Sequence, residues 1–343
     1  MHTYISVIKW QNSSNTKFDA LALDKRIEII TSACADLNNQ ITSNNIPLDK
    51  EIKGIITAPE YFLSRSNSSL SITRDTMLQY RQNLANTSRK YKDIVLIPGT
   101  MAYTKTINLS EEKGINRFKK MLSRMNEEQN PYILDPNKTN PLRNIHDGRL
   151  QQTEIDRYKK YWREQIIQGN SVEIYSNSLF IYYNGEIWKH RKSSGFYENQ
   201  NNKDVVLSID RKSENGLVNI SDRLFGLEIC FEHAMGVLKE KHNSLPLDFQ
   251  IIVSDYVEGN RNNIHLSADG LLIGTPISIT DKTTNITTIH DGIWSEDSNK
   301  NLNKIAPVKV EEWYDIFQVK TPAKKQGTMK KVTKESLQSA VIK

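Results

Sequence analysis

The chain of 343 residues is short of several things, and each shortage narrows what it does. It holds only two cysteines, Cys34 and Cys230, which excludes a disulfide framework and fits a reducing compartment. No apolar run approaches the roughly 20 residues that cross a bilayer. The opening MHTYISVIKWQ lacks a charged-then-apolar leader pattern, so a cytoplasmic protein without a membrane partner is expected. The seven histidines show no HExxH or comparable ligand spacing, and with so few cysteines no metal is expected. Neither a P-loop nor a GxGxxG occurs, so nothing supports a nucleotide, and no cofactor is expected.

The net charge of +6 is also less than it looks. Residues 320–343 carry seven lysines against one glutamate, and residues 1–319 balance at 39 basic and 39 acidic. All but one charge of the excess therefore belongs to a basic tail, 321–343, which reads as a solvated end and not as a nucleic-acid face of the folded domain,. The aromatic-basic stretch YKKYWR at 158–163 reads the same way, as a solvated helix with one packed side.

What is present is an alternation of strand and helix. Residues 3–10 alternate as a strand, with Tyr4, Ser6, Ile8 and Trp10 on one face. In 19–38 the positions Leu23, Ile27, Ile30, Cys34 and Leu37 form one helical stripe, which assigns Cys34 to packing,. A strand at 52–58 closed by Pro59-Glu60, a helix at 72–91 and a strand at 93–98 follow, and together they predict an α/β fold,. The pattern then breaks at about 105–170 into a charged, partly helical insertion, suited to a lid, a substrate wall, an interface or an ornament. Strands at 173–183 and 186–191 joined by Asn184-Gly185 form a hairpin,. Apolar segments at 204–210 and 216–229, a helix after Cys230, a strand at 249–254 and short β-like runs over 264–320 complete one domain, 1–320.

Three functional groups stand just past apolar runs: Glu60 in IITAPEYF, Lys192 in NGEIWKHRKSS and Cys230 in GLEICFEH. Strands ending at one edge bring such residues together outside their carboxyl ends. Cys230 sits where a strand becomes a helix, a position that favours the thiolate; a buried, inert thiol is the alternative. Together the three make an acyl-transfer site. Glu60 takes the thiol proton, Lys192 steadies the oxyanion and Cys230 attacks, with the Phe231 N–H as second oxyanion donor. Taken singly, Glu60 is a strand-end carboxylate and Lys192 one lysine among many. His233, on the following helix, reads as a surface or capping residue.

Pro-Glu-aromatic (APEYF), Gly-x-Ile with a following Arg-Lys (GEIWKHRK) and Gly-x-x-Ile-Cys-aromatic-acidic (GLEICFE) resemble the nitrilase superfamily of carbon–nitrogen hydrolases, in that family's order. The resemblance covers roughly 5–100 and 173–256. It implies a four-layer αββα sandwich, assembly into dimers or larger homo-oligomers, and the roles just given for Glu60, Lys192 and Cys230. Lys189 is the rival lysine but lacks the preceding arginine. The family's second glutamate, in the loop after the lysine, matches Glu198 of Tyr197-Glu198, implying a role in positioning substrate. CFEH is similar to the Cys-Trp-Glu-His/Asn of nitrilases, and Glu-Ile-Cys to the glutaminase domains of NAD synthetases.

Two departures stand out: the long insertion, and IIVSDYVEGNRNNIHLSADG in place of the family's Arg-Ala…Glu-Asn helix. Asp255 or Tyr256 near that strand end is expected to line the pocket. The implied activity is hydrolysis of a small-molecule amide, less readily a nitrile, through a thioester. A catalytically retired binding or assembly protein is one alternative. A Cys-His protease using His265 or His290 is another, and it leaves Glu60 and Lys192 without roles.

Overall fold

The computed structural model describes residues 1–66, 69–119, 160, 163–164, 166–192, 205–207, 216–242, 245–280 and 287–322. A first sheet holds β1 (His2–Ile8), β2 (Gly54–Thr57), β3 (Ile72–Thr73), β4 (Ile94–Ile97), β5 (Thr100–Asn108), β6 (Ser171–Tyr183), β7 (Glu186–Arg191) and β8 (Val205–Leu207). A second holds β9 (Leu217–Ile220), β10 (Arg223–Ile229), β11 (Leu247–Glu258), β12 (Leu266–Thr280), β13 (Thr287–Glu296) and β14 (Leu302–Lys304). The chain then returns to the first sheet as β15 (Lys309–Val310) and β16 (Tyr314–Lys320).

The central strands β1, β2 and β4 run parallel, as do β10, β11 and β12. Their near-continuous apolar runs suit strands covered on both faces. Successive side chains leave a strand on opposite sides, so each strand feeds two cores. Ile5, Ile55, Val95 and Leu179 meet Phe225, Leu227, Phe249, Ile251 and Ile273 between the sheets. Ile56 and Leu96 face outward onto Ile30, Ala33 and Leu37 of α1 (Leu23–Ser43) and Met77 and Leu84 of α2 (Arg74–Lys90). On the far side Ala234 of α3 (Phe231–Met235) packs on Ile252 and Leu272, and Leu238 of α4 (Val237–His242) on Leu224 and Leu247. The result is the four-layer αββα sandwich.

Several local expectations change. Trp10 lies beyond β1, whose residues 3–8 are buried on both faces. The first helix starts at Leu23, and its buried face is Arg26, Ile29, Ile30, Ala33, Cys34 and Leu37. Leu23 and Ile27 are only half-buried. Arg26 takes a core position because its guanidinium serves carbonyls, donating to Phe62 O at 2.9 Å and Leu21 O at 2.8 Å. Burial lowers its pKa to about 10. The single helix expected after Cys230 is two. It breaks at Gly236, where the Asn263 amide donates to the His233 and Ala234 carbonyls at 2.7 and 3.3 Å.

The region beyond 256, where the resemblance fades, is integral to both sheets. β12 and β13 extend the second, and β16 pairs antiparallel with β1 from His2↔Lys320 to Ile8↔Tyr314. β5 and β6 pair as far as Asn108↔Ser171, so the insertion leaves from the end of a strand pair and starts later than 105. Residues 112–119 are helical; 120–159, and 323–343 of the tail, lie outside the described residues. Among the described residues no helix is long and apolar enough to cross a membrane.

One half-buried carboxyl opposes the fold increasingly as pH rises towards neutral. The Asp291 carboxyl accepts from the Trp10 N–H at 3.2 Å through Oδ2, while Oδ1 is out of solvent with no hydrogen-bond partner. Burial pushes its pKa up to about 7 against the Trp10 bond. A carboxyl raised on folding contributes stability below its unfolded value, and that contribution is lost as pH rises towards 7. Asp291→Asn is therefore expected to gain stability relative to the parent between pH 5 and pH 8, by about 2–3 kcal/mol at 1.36 kcal/mol per unit. Urea denaturation at the two pH values measures it, and an advantage that shrinks towards pH 8 contradicts the assignment.

Candidate active site

Glu60 is placed by a loop pinned at every step. After β2 the chain passes Pro59, whose carbonyl would lie 2.0 Å from any Cβ at position 99. Gly99, with φ +74°, is the residue that lets the two segments touch,. The Glu60 N–H donates to Ser254 O at 3.1 Å, and the Tyr61 N–H to Thr100 Oγ1 at 2.8 Å. The Glu60 carboxylate is 1% exposed. Its Oε1 accepts from Lys192 Nζ and from Asn177 Nδ2, both at 2.8 Å, and its Oε2 from the Asp255 N–H at 3.2 Å.

Lys192 follows β7, which the Asn184-Gly185 turn (φ 51° and 83°) folds back on β6. Its N–H donates to Asn177 O at 2.9 Å, so Asn177 holds the lysine by its backbone and the glutamate by its side chain. At 3% exposure Lys192 is nearly as buried as its partner. Lys189, the rival, donates instead to Tyr103 OH at 2.8 Å and lies over the Phe180 ring.

Cys230 stands at the turn from β10 into α3 with φ 50° and ψ −107°. A non-glycine residue there is strained by roughly 1–3 kcal/mol, and such strain persists where surrounding contacts over-determine it. Here the Cys230 N–H donates to Val253 O at 2.8 Å, and Sγ lies 4.0 Å from Tyr256 O. Consecutive residues of β11 thus hold both ends: Val253 takes Cys230, Ser254 takes Glu60, and the Asp255 N–H reaches the Glu60 carboxylate. Tyr61 (φ 62°) and Tyr256 (φ 88°) share the left-handed conformation, so strained backbone gathers where the two sheets present these groups.

Of the two pocket candidates near this strand end, the Asp255 carboxylate is engaged. It pairs with Arg65, whose Nη2 is 2.9 Å from Oδ1, and accepts from Trp10 Nε1 at 2.8 Å. Burial works against the Arg65 charge, but Asp255 and then Asp19 outweigh it and hold its pKa up. Tyr256 is half-exposed, with its carbonyl towards the sulfur. Phe231 opens α3 and packs on the outer face of the second sheet. Glu198 lies outside the described residues.

His233 is not a surface residue. It is fully buried, with Nδ1 2.7 Å from Glu228 Oε2. Its Nε2 accepts from the Asn260 N–H at 3.1 Å, which leaves the proton on Nδ1,. His265 lines a separate cavity of about 460 Å³ with Arg261 and Glu296. Sequence reasoning missed Asn177. Its one signal is an amide inside the apolar strand SVEIYSNSLFIYY, where burial demands partners,.

No protein-family model matches the chain, and no curated protein matches it. Among solved structures it is similar to a carbon–nitrogen hydrolase from Helicobacter pylori, at 11% identity over 94% of this chain and 90% of that one, TM-score 0.49. An amidase from Nesterenkonia sp. is similar at 9% identity over 99% and 96%, TM-score 0.47. A branch 10 member of the nitrilase superfamily from Saccharomyces cerevisiae is similar at 11% over 99% and 93%, TM-score 0.43.

Proposed function

We propose that this protein is a carbon–nitrogen hydrolase of the nitrilase type, cleaving a small non-peptide amide, and less readily a nitrile, through a thioester on Cys230. The observation that carries this reading is the buried Glu60–Lys192 contact at 2.8 Å, anchored to the same β11 segment that holds the strained Cys230 turn. A buried ion pair is a poor source of stability, and one fixed to the strand that also fixes the cysteine turn has a chemical use in this reading.

Glu60 accepts the Sγ proton as the sulfur attacks the carbonyl carbon. The oxyanion is met by the Lys192 ammonium and the Phe231 N–H, and Glu60 returns its proton to the leaving amine. Water, deprotonated by Glu60, then attacks the thioester, and the carboxylic acid leaves as the thiol re-forms. Asn177 and the Asp255 N–H keep the carboxylate aimed through both halves.

Incubation with a panel of small amides, acid quench and peptide mass spectrometry test this directly. The expected result is an acyl mass on the Cys230 peptide that decays with release of acid. Cys34 serves as internal control, since burial pushes its thiol up to about 12. An adduct on neither cysteine across the panel, with no ammonia or amine released, leaves the retired-scaffold alternative in place.

A further inference from the structure

Two glutamates flank Cys230 at equal spacing, and each is buried beside a histidine. Glu228 keeps to its own side, facing His233 of α3 and Gln250 of β11. Glu232 joins the two sheets. Its Oε2 accepts from the Ile229 N–H at 2.8 Å and lies 2.8 Å from His190 Nε2. Ile229 directly precedes Cys230, and His190 stands on β7 two residues before Lys192. The local reason is an unfilled edge: on that side of β10 the Leu227 N–H goes to Gly216 O at 2.7 Å, and the next N–H, from Ile229, has Glu232 to meet it. One carboxylate oxygen therefore ties the cysteine turn to the lysine strand, at 1% exposure for Glu232 and 3% for His190.

We propose that Glu232 is a positioning residue that, through His190, fixes the Lys192 ammonium relative to the Cys230 sulfur; this rests on the roles given above to Cys230 and Lys192. Glu232 needs no contact with substrate. Its effect falls on the geometry of attack, where a misplacement of 1 Å costs about 10²-fold.

The test compares Glu232→Gln, Glu232→Asp, His190→Asn and the double variant Glu232→Gln/His190→Asn in amide hydrolysis and in the pH dependence of Cys230 alkylation by iodoacetamide, with thermal melts to confirm folding. Glu232→Gln keeps the volume and loses the charge-assisted bond; kcat is expected to fall about 10²-fold, with KM changed less than about threefold. The alkylation midpoint should move towards about 8.5, that of an ordinary thiol, as the ammonium drifts from the sulfur. Glu232→Asp keeps the charge but not the reach and should lose as much. The double variant should lose no more than Glu232→Gln, because both changes remove one contact.

Losses that multiply in the double variant, or alkylation profiles that superimpose on the parent, overturn the proposal. Should the Glu232 variants fail to fold, His190→Asn, which leaves the Ile229 bond intact, carries the same two readouts, and a parental profile there overturns it. Alkylation needs no substrate. A shifted profile without amide turnover rejects the hydrolase reading and keeps the coupling, whereas turnover with an unshifted profile does the reverse.

Discussion

Cys230→Ala is expected to lower kcat/KM on any amide the protein hydrolyses by about 10⁴-fold or more, the scale on which removal of a covalent nucleophile acts. The loss should come without a loss of fold. Alanine keeps the Cβ, and the turn is held by the backbone bond to Val253 O and by Glu232, neither of which involves the sulfur. Glu60→Gln makes the contrast. It removes the base, and it also removes the carboxylate charge that Lys192, 3% exposed, meets at 2.8 Å. Breaking one side of a buried pair costs about 3–5 kcal/mol, so this variant should lose turnover by a comparable factor and melt earlier as well. Initial rates of ammonia release together with thermal melts separate the two. Hydrolysis surviving in Cys230→Ala would remove the nucleophile from the scheme, and a Glu60→Gln protein as stable as the parent would show that the Glu60–Lys192 contact is not closed in solution.

The three groups at the centre of that scheme stand out in the sequence because each follows a short apolar run closed by proline, a basic pair or a helix start, and parallel strands deliver such ends to one edge. The alternation of strand and helix was legible for the same reason: buried strands announce themselves as continuous Ile, Val and Leu. What holds the site was not legible. Asn177, Asp255 and Arg65 are polar residues whose side-chain partners lie tens to hundreds of positions away, and periodicity assigns a polar residue to the surface. His233 was misread on that ground; its burial depends on Glu228 and on Asn260, 27 residues downstream. The break at Gly236 was hidden likewise, since the Asn263 side chain that ends α3 arrives from beyond β11. The first helix shows the limit most plainly, because a cation occupies a core position that an apolar stripe had been expected to fill.

Arg223→Met is expected to cost about 3–5 kcal/mol, because it strands a buried carboxylate. Arg223 and Asp49 are 1% and 2% exposed and meet at 2.9 Å between Nη2 and Oδ2. They join the start of β10 in the second sheet to the connection entering β2 in the first. Asp49 Oδ1 also accepts from the Glu51 and Ile52 N–H groups at 3.0 and 2.9 Å. The guanidinium Nε and Nη1, by contrast, have no hydrogen-bond partner among the described residues, so this cation is held at a cost. Adding Asp49→Asn to Arg223→Met removes both charges and keeps an oxygen for the two backbone donors; the double variant should recover most of the loss. Burial pushes the Asp49 carboxyl up, but the Ile52 and Glu51 amides and the Arg223 charge outweigh it and leave its pKa below the usual value. A carboxyl depressed on folding contributes stability above its unfolded pKa of about 3.9 and loses it as pH falls through the folded value. The deficit of Arg223→Met should accordingly be full at pH 7 and shrink towards pH 3, where Asp49 begins to protonate and needs its cation less. Urea titrations of the parent, the single and the double variant at both pH values measure this, and a deficit below about 1 kcal/mol at pH 7, or one that grows in acid, would mean that the pair does not join the two sheets.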